Sequence, residues 1–345
     1  MTPDFVAASV ILQNFTAIDS LFESIEGNCL TSSHYTCREG SHVTSGTILL
    51  RDNRFRCQNK HVQLSWPDCN ETSVILHRNT FNRNNFYTAV ELYLPHVPLI
   101  HVTDNTFVNL RGRAMSLALA DGALDSGVVI SDNIFRTVGS VYLESIVSVH
   151  CDSAVDQGHV LNISLTRNDF YFNLATSTVL TSCAGLFLTE NVFVNPGATR
   201  DYEVRVEYQK TPTMFARLNY WNASTFDEIA ARIYDYADDE DIALVQVSPW
   251  YLDDNRTQTA AGGNRFFKGP FEIGGRMESD IILSSTEQPY RVTQNIVVPH
   301  GHTLVIEAGV KLLFANGGIT VEGECRSVVY LRLKTMPLNE LNSLH

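Results

Sequence analysis

No run of about 18 apolar residues occurs anywhere in the 345-residue chain, so no segment reads as a membrane-spanning helix. Met1 opens no signal peptide, because the basic start and long apolar core of such a leader are missing. Positive charge is scarce: 25 Lys and Arg stand against 38 Asp and Glu, giving a net charge of −13. That balance argues against nucleic acid or an anionic membrane as the main partner. None of the seven cysteines stands in a CxxC pair, so zinc is not expected.

What the chain does have is a repeat. Its cores are Asp52-Asn53-Arg54-Phe55, Arg78-Asn79-Thr80-Phe81, Asp104-Asn105-Thr106-Phe107, Asp132-Asn133-Ile134-Phe135, Arg167-Asn168-Asp169-Phe170 and Glu190-Asn191-Val192-Phe193. The asparagines lie 26, 26, 28, 35 and 23 residues apart, a period that marks a stacked architecture. Three residues before each asparagine stand Leu50, Leu76, Val102, Ile130, Leu165 and Leu188. Five before stand Ile48, Val74, Ile100, Val128, Ile163 and Leu186. A spacing of two puts both side chains on one face of a strand, while the positions between them vary freely. This is a strand buried on one side.

Alternation would place an inward residue just before the asparagine, yet a charged one stands there each time. The chain must bend at that point. Asparagine is expected to supply the bend by entering the left-handed backbone region, and stacked copies are expected to form an amide ladder. The phenylalanines are expected to point inward and stack, one coil above another, at the ~4.8 Å spacing of paired strands. The expected fold is all-β, a right-handed parallel β-helix. A leucine-rich or helical repeat would need capped helical segments that are missing, and a sandwich would show turn signals far more often than one motif per ~26 residues.

The cysteines read as secretory, with Cys29–Cys37, Cys57–Cys69 and Cys151–Cys183 as the expected pairing, each worth roughly 2–4 kcal/mol, and Cys325 left alone. Buried free thiols in a cytosolic solenoid are the alternative. Sequons begin at Asn14, Asn70, Asn162, Asn222 and Asn255 and are candidate glycan sites, Asn162 with its side chain facing out of a strand. The runs Asp238-Asp239-Glu240-Asp241 and Asp253-Asp254 read as solvated loop charge, with calcium as the alternative. No catalytic, cofactor or metal constellation is expected. The outward positions two and four before each asparagine carry no acid, Arg78 and Arg167 interrupt the acids at the bend, and the His300/His302 pair is expected to have no acidic partner.

Two further segments carry a family resemblance. One is Asn219-Tyr220-Trp221, followed by Ala231-Arg232-Ile233-Tyr234-Asp235 and Ser248-Pro249-Trp250-Tyr251-Leu252. The other runs from Tyr290 through Ile296-Val297-Val298, Gly301-His302-Thr303-Leu304 and Ile306-Glu307-Ala308-Gly309-Val310 to Gly318-Ile319-Thr320-Val321-Glu322-Gly323. Over about residues 40–323 the chain resembles the extracellular β-helix region of the bark beetle family, also called Anakonda. It departs from that pattern at Asn222, where the family commonly has glycine, and at Ala308, where it commonly has proline. The resemblance implies partial N-terminal coils or a lead-in over 1–40 and β-helix repeats over 41–200. A closing segment is expected over 201–255: Trp221 reads as a cap over the exposed end of the stack, with an ordinary core residue as the alternative, and Thr225 ahead of Glu228 reads as the N-cap of a short helix within 225–237. A second β-helix block then starts over 256–323, and 324–345 is expected to be an aberrant, disordered tail.

For function the resemblance implies a non-enzymatic adhesion or scaffold ectodomain fragment at epithelial cell–cell (septate, tricellular) junctions, on the extracellular side of the plasma membrane. Its partners would be proteins at cell contacts, like molecules or glycans, without a cofactor and without nucleic acid. Membrane attachment would come only through parts outside this sequence, so a fragment or an incomplete gene model is expected. The alternatives are a carbohydrate-active lyase or glycosidase on a β-helix, or a tailspike-like adhesin.

Overall fold

The structure is a computed structural model. It describes residues 14–24, 27–31, 44–65, 70–94, 99–119, 127–140, 142–151, 162–183, 186–195, 202–207, 214–239, 241–262, 266–267, 270–315, 318–322 and 324–327. The chain forms two compact units, Met1–Asp235 with Asp241–Ala261, and Tyr236–Glu240 with Gly262–His345.

The first unit is a parallel β-helix with three faces. The first sheet runs from Asn14–Ile18 through Thr44–Arg51, Asn70–His77, Leu99–Thr103, Gly127–Ser131, Asn162–Thr166 and Leu186–Thr189 to Met214–Phe215 and Val245–Gln246. The second sheet begins at Leu21–Ser24 and ends at Val192–Val194; the third begins at Leu30–Thr31 and ends at Ile233–Tyr234. Neighbouring strands are parallel and in register, so Leu76 sits between Leu50 and Val102, and Val74 between Ile48 and Ile100. All twelve aliphatic positions read from the repeat are buried. Leu99–Thr103 alternates half-buried and buried along its length, as a strand covered on one face must.

The first corner joins the first sheet to the second, and it corrects the expected role of asparagine. The left-handed residue is the one before it: Asp52, Arg78, Asp104, Asp132, Arg167 and Glu190 have φ between 52° and 60°. That conformation costs roughly 1–2 kcal/mol for a residue with a Cβ. It turns the charged side chain out to water and swings the asparagine into the core, where all six are at most 1 % exposed. There each amide is fully used. The Asn105 Oδ1 accepts from the backbone N–H and the side chain of Asn79. Its own Nδ2 donates to Asn133 Oδ1 in the next coil and to the Leu76 carbonyl in the preceding one. The same pattern recurs at Asn53, Asn79, Asn133, Asn168 and Asn191, and extends to Asn219 as a further rung. The ladder starts one coil earlier than the repeat does, with the Ser20 N–H donating to Asn53 Oδ1.

The phenylalanines stack as expected, with ring centroids 4.7–5.1 Å apart from Phe55 through Phe81, Phe107, Phe135 and Phe170 to Phe193. Phe22 extends the row below. Trp221 extends it above, stacked on Phe193 at 4.9 Å and wholly buried. Trp221 is therefore the last ring of the row, in register, rather than a separate lid. The chain carries on past it to Ile233–Tyr234, which pairs with Val204-Arg205 of the third sheet. This strand is why the helix is shorter than the expected 225–237. It spans only Phe226–Ala230, with a Thr225/Glu228 capping box at its start.

A second corner, between the second and third sheets, also uses left-handed residues: Arg83, Asn109, Thr137 and Phe172, with φ of 54–59°. Each follows the first-corner residue of its coil by five positions.

In the second unit, Tyr290–Val298 pairs in parallel with Glu272–Arg276, Leu312–Phe314 and Ile319–Val321. A second sheet holds Ile281–Leu283, Thr303–Ile306 and Glu324–Ser327. The core gathers Phe266, Ile273, Val292, Ile296, Val298 and Leu304. The expected break after Gly323 comes too early, since Glu324–Ser327 pairs with Thr303–Ile306 as one more parallel strand. Residues 328–345 of the expected tail lie outside the described residues.

The ladder and the left-handed corner predict opposite mutational signs. Asn133→Ala strips a carbonyl, a side-chain amide and a backbone N–H of their partners and is expected to lower stability by roughly 3–6 kcal/mol. Leu218 takes the same left-handed position, with φ 55°, before Asn219. Leu218→Asn suits that conformation better and is expected to raise stability by up to ~1 kcal/mol. Denaturant midpoints decide the point; a harmless Asn133→Ala contradicts the ladder's role.

Candidate functional site

The corner charges are the first place to look for chemistry, since they repeat at fixed intervals on the surface. They are committed to one another. Arg78 clamps Asp52 of the preceding coil through two hydrogen bonds of 2.7 Å, and Arg167 clamps Asp132 through two of 2.8 Å. Glu190 lies 3.9 Å from Arg167, and Asp104 lies 3.3 Å from His77. Hydrogen bonds from Arg78 and Arg167 hold the carboxyls of Asp52 and Asp132 below the ordinary carboxylate range. Paired in this way, Asp52 and Asp132 stay ionised and bridge coils.

Asp169 behaves differently. Burial pushes its carboxyl up, against the pull of Arg256, which donates to it at 2.9 Å and to the Glu190 carbonyl at 2.7 Å. Arg256 belongs to the turn that joins the antiparallel strands Trp250–Tyr251 and Thr259–Ala260, so this contact pins that turn to the second sheet. His61 is buried beside Phe55 and Phe81, its Nε2 within 3.0 Å of the Cys57 and Arg83 carbonyls. Two carbonyl partners require the proton on Nε2, and burial lowers the ring's affinity for a second proton. It is a packing residue.

Ser148 and His150 form a hydroxyl–imidazole pair on the third sheet. Ser148 is wholly buried, and among the described residues no carboxylate pairs with His150 to orient it. His302 does have an acidic neighbour, contrary to expectation: Asp280 Oδ1 is 3.6 Å from its Nδ1 and also accepts the Thr303 N–H. That acid caps a strand start. Among the described residues no group of three or more His, Cys, Asp or Glu is arranged to hold a metal ion. An open cleft of about 560 Å³ lies beside the helix, lined by Tyr220, Asn222, Ser224, Glu228, Arg232 and Leu252.

Cys151–Cys183 joins neighbouring coils as expected. The other observed pair is Cys29–Cys57, in place of the expected Cys29–Cys37 and Cys57–Cys69. The reason is geometric: residues about one coil apart in sequence meet across neighbouring coils, as the separations of 28 and 32 show. Cys37 and Cys69 lie outside the described residues, and so does the side chain of Cys325. Among the sequons, Asn222 and Asn255 are exposed, while Asn14, Asn70 and Asn162 each begin a strand of the first sheet and their side chains lie outside the described residues. Asn222 has φ 49°, which explains how it stands where glycine is common.

No protein-family model and no solved structure matches the chain. Among curated proteins, the protein bark beetle of Drosophila melanogaster is 31% identical over 122 residues, which is 33% of this chain and 4% of that protein. The chain thus spans a small part of the relative that it matches. The similarity is compatible with a distant relationship to that family, and together with the two disulfides it is compatible with an extracellular location.

The clamped corner acids predict an acid-sensitive contribution. Their folded-state values lie below the unfolded carboxylate value near ~3.9, so the stabilisation is complete above that value and is lost as pH falls through the folded-state values. The melting temperature of the wild type is expected to fall more steeply from about pH 5 to about pH 2 than that of an Arg78→Gln/Arg167→Gln variant. Parallel curves contradict the assignment.

Proposed function

We propose that this chain is part of a non-enzymatic adhesion or scaffold ectodomain working at epithelial cell–cell junctions, with its outward faces as the working surface. The observation that carries the reading is where the recurrent polar residues go. The asparagines are spent on the ladder and the corner acids Asp52 and Asp132 on arginine clamps, so the repeat builds a stiff stack with variable outward positions. The similarity to bark beetle supplies the setting, because the resemblance implies a junction-organising membrane protein, and disulfides joining neighbouring coils suit an extracellular site.

Two measurements test this reading. A tagged full-length protein is expected to concentrate where epithelial cells meet; an even or intracellular distribution contradicts it. Incubation of the purified chain with polygalacturonate or chitin fragments is expected to release no product, and steady turnover lost in Asp169→Asn would replace the scaffold with an enzyme.

A further inference from the structure

Most arginines of the first unit are engaged: Arg78, Arg113, Arg167, Arg205, Arg232 and Arg256 each pair with a carboxylate. Five exposed arginines, Arg54, Arg56, Arg83, Arg111 and Arg136, have neither an ion pair nor a side-chain hydrogen bond, and the last four lie at or near the second corner. In a chain of net charge −13 this is where free positive charge collects.

Those four follow the coils. Arg56 and Arg136 stand within strands Arg54–Cys57 and Ile134–Val138 of the second sheet. Arg83 and Arg111 follow directly after strands Thr80–Asn82 and Thr106–Leu110. The four strands are successive in the sheet, so each coil contributes one guanidinium at or beside the second corner. Coil-to-coil steps of 4.7–4.9 Å, read from the stacked rings, spread the four backbone positions over about 14 Å.

Exposed rings flank this line. Phe172 is 56% exposed, with the Arg136 guanidinium 6.0 Å from its centroid. Phe86 and Tyr87 are 71% and 51% exposed and belong to the segment that leaves the second corner beside Arg83; Tyr142 is 93% exposed in the corresponding segment two coils on. The Phe86-Tyr87 segment is held in place from the next coil. Asn84 Oδ1 accepts the N–H groups of Arg111 and Gly112, and a Cβ at Gly112 would lie 2.0 Å from the Tyr87 carbonyl oxygen. The rings are thus presented by a pinned backbone, which lowers the ordering cost of binding.

We infer that this arginine–aromatic line is a binding site for a linear sulfated polysaccharide of the glycosaminoglycan type. Guanidinium groups match sulfate and carboxylate oxygens with paired N–H donors. Aromatic faces pack against the apolar faces of sugar rings. A band of cations spaced by the coils, with Arg56 and Arg136 in one row and Arg83 and Arg111 just beyond it, suits an extended polyanion lying along the stack. The acidic remainder of the molecule repels such a chain elsewhere and so sets its register. The three sequons that begin first-sheet strands lie on a different face and leave this line clear. The inference does not depend on a junctional setting.

The test uses the secreted protein and immobilised heparin, with fully desulfated heparin as the reference surface. Wild type is expected to bind the sulfated surface alone, with an affinity that falls steeply as salt rises. Replacing Arg56, Arg111 and Arg136 together by Gln is expected to weaken binding by roughly 30-fold or more, and Arg136→Gln alone by about 3- to 5-fold. Arg217→Gln, just past the first-sheet strand Met214–Phe215, is expected to leave binding unchanged. Circular dichroism melts confirm that each variant folds; should the triple variant fail to fold, the single variant decides. Absence of wild-type binding, equal binding to desulfated heparin, or equal affinity in the arginine variants overturns the inference. So does self-association of wild type that the triple variant loses without any binding to heparin, which would assign the line to a second copy of the chain.

Discussion

Each corner amide of the first unit is bonded both up and down the stack, and the other features follow from that constraint. Asn105 reaches Asn79 below, Asn133 above and the Leu76 carbonyl below, all inside a core from which water is excluded. An amide so placed has no acceptable position other than one coil rise from its neighbours, because a buried polar group without a partner costs on the order of 1–3 kcal/mol. The rise in turn fixes the ring stack at 4.7–5.1 Å and the register of aliphatic pairs such as Leu50, Leu76 and Val102. Geometry set on the inside frees the outside. Outward neighbours such as His101, Val129, Ser164 and Phe187 share a row yet share no chemistry.

The fold was largely legible because its three recurrent inner features are written as residue identities. Two aliphatics at a spacing of two mark the buried face, asparagine marks the ladder and phenylalanine marks the stack. The left-handed residue was less legible, since Asp, Arg and Glu serve equally well there and its conformation is set by the bonds around it. At the second corner even charge is not kept: Arg83, Asn109, Thr137 and Phe172 share one backbone conformation and nothing else. The disulfide Cys29–Cys57 was misread because nearness along the chain is a poor guide in a coil, where the close neighbour is one turn away. The helix was overestimated because Ile233-Tyr234 is claimed by the third sheet.

The functional surface was the least legible part. The arginines of the second corner are spread over some eighty residues of sequence and become one line only when coils stack. Sequence alone also could not tell a clamped arginine from a free one. Arg78 and Arg111 are the same residue type in neighbouring coils, and only the structure shows that one is held by Asp52 while the other projects without a partner. The separation between an inner face that carries the architecture and an outer face that carries chemistry is what a scaffold requires.

The most direct test of the central claim is hydrogen–deuterium exchange of the backbone amides at Asn79, Asn105, Asn133 and Asn168, each of which donates to the next asparagine Oδ1. If the ladder is the governing constraint, these amides exchange as slowly as those of the first-sheet strands and release together with them on unfolding. Exchange at the corners that is fast and independent of the strands would contradict it.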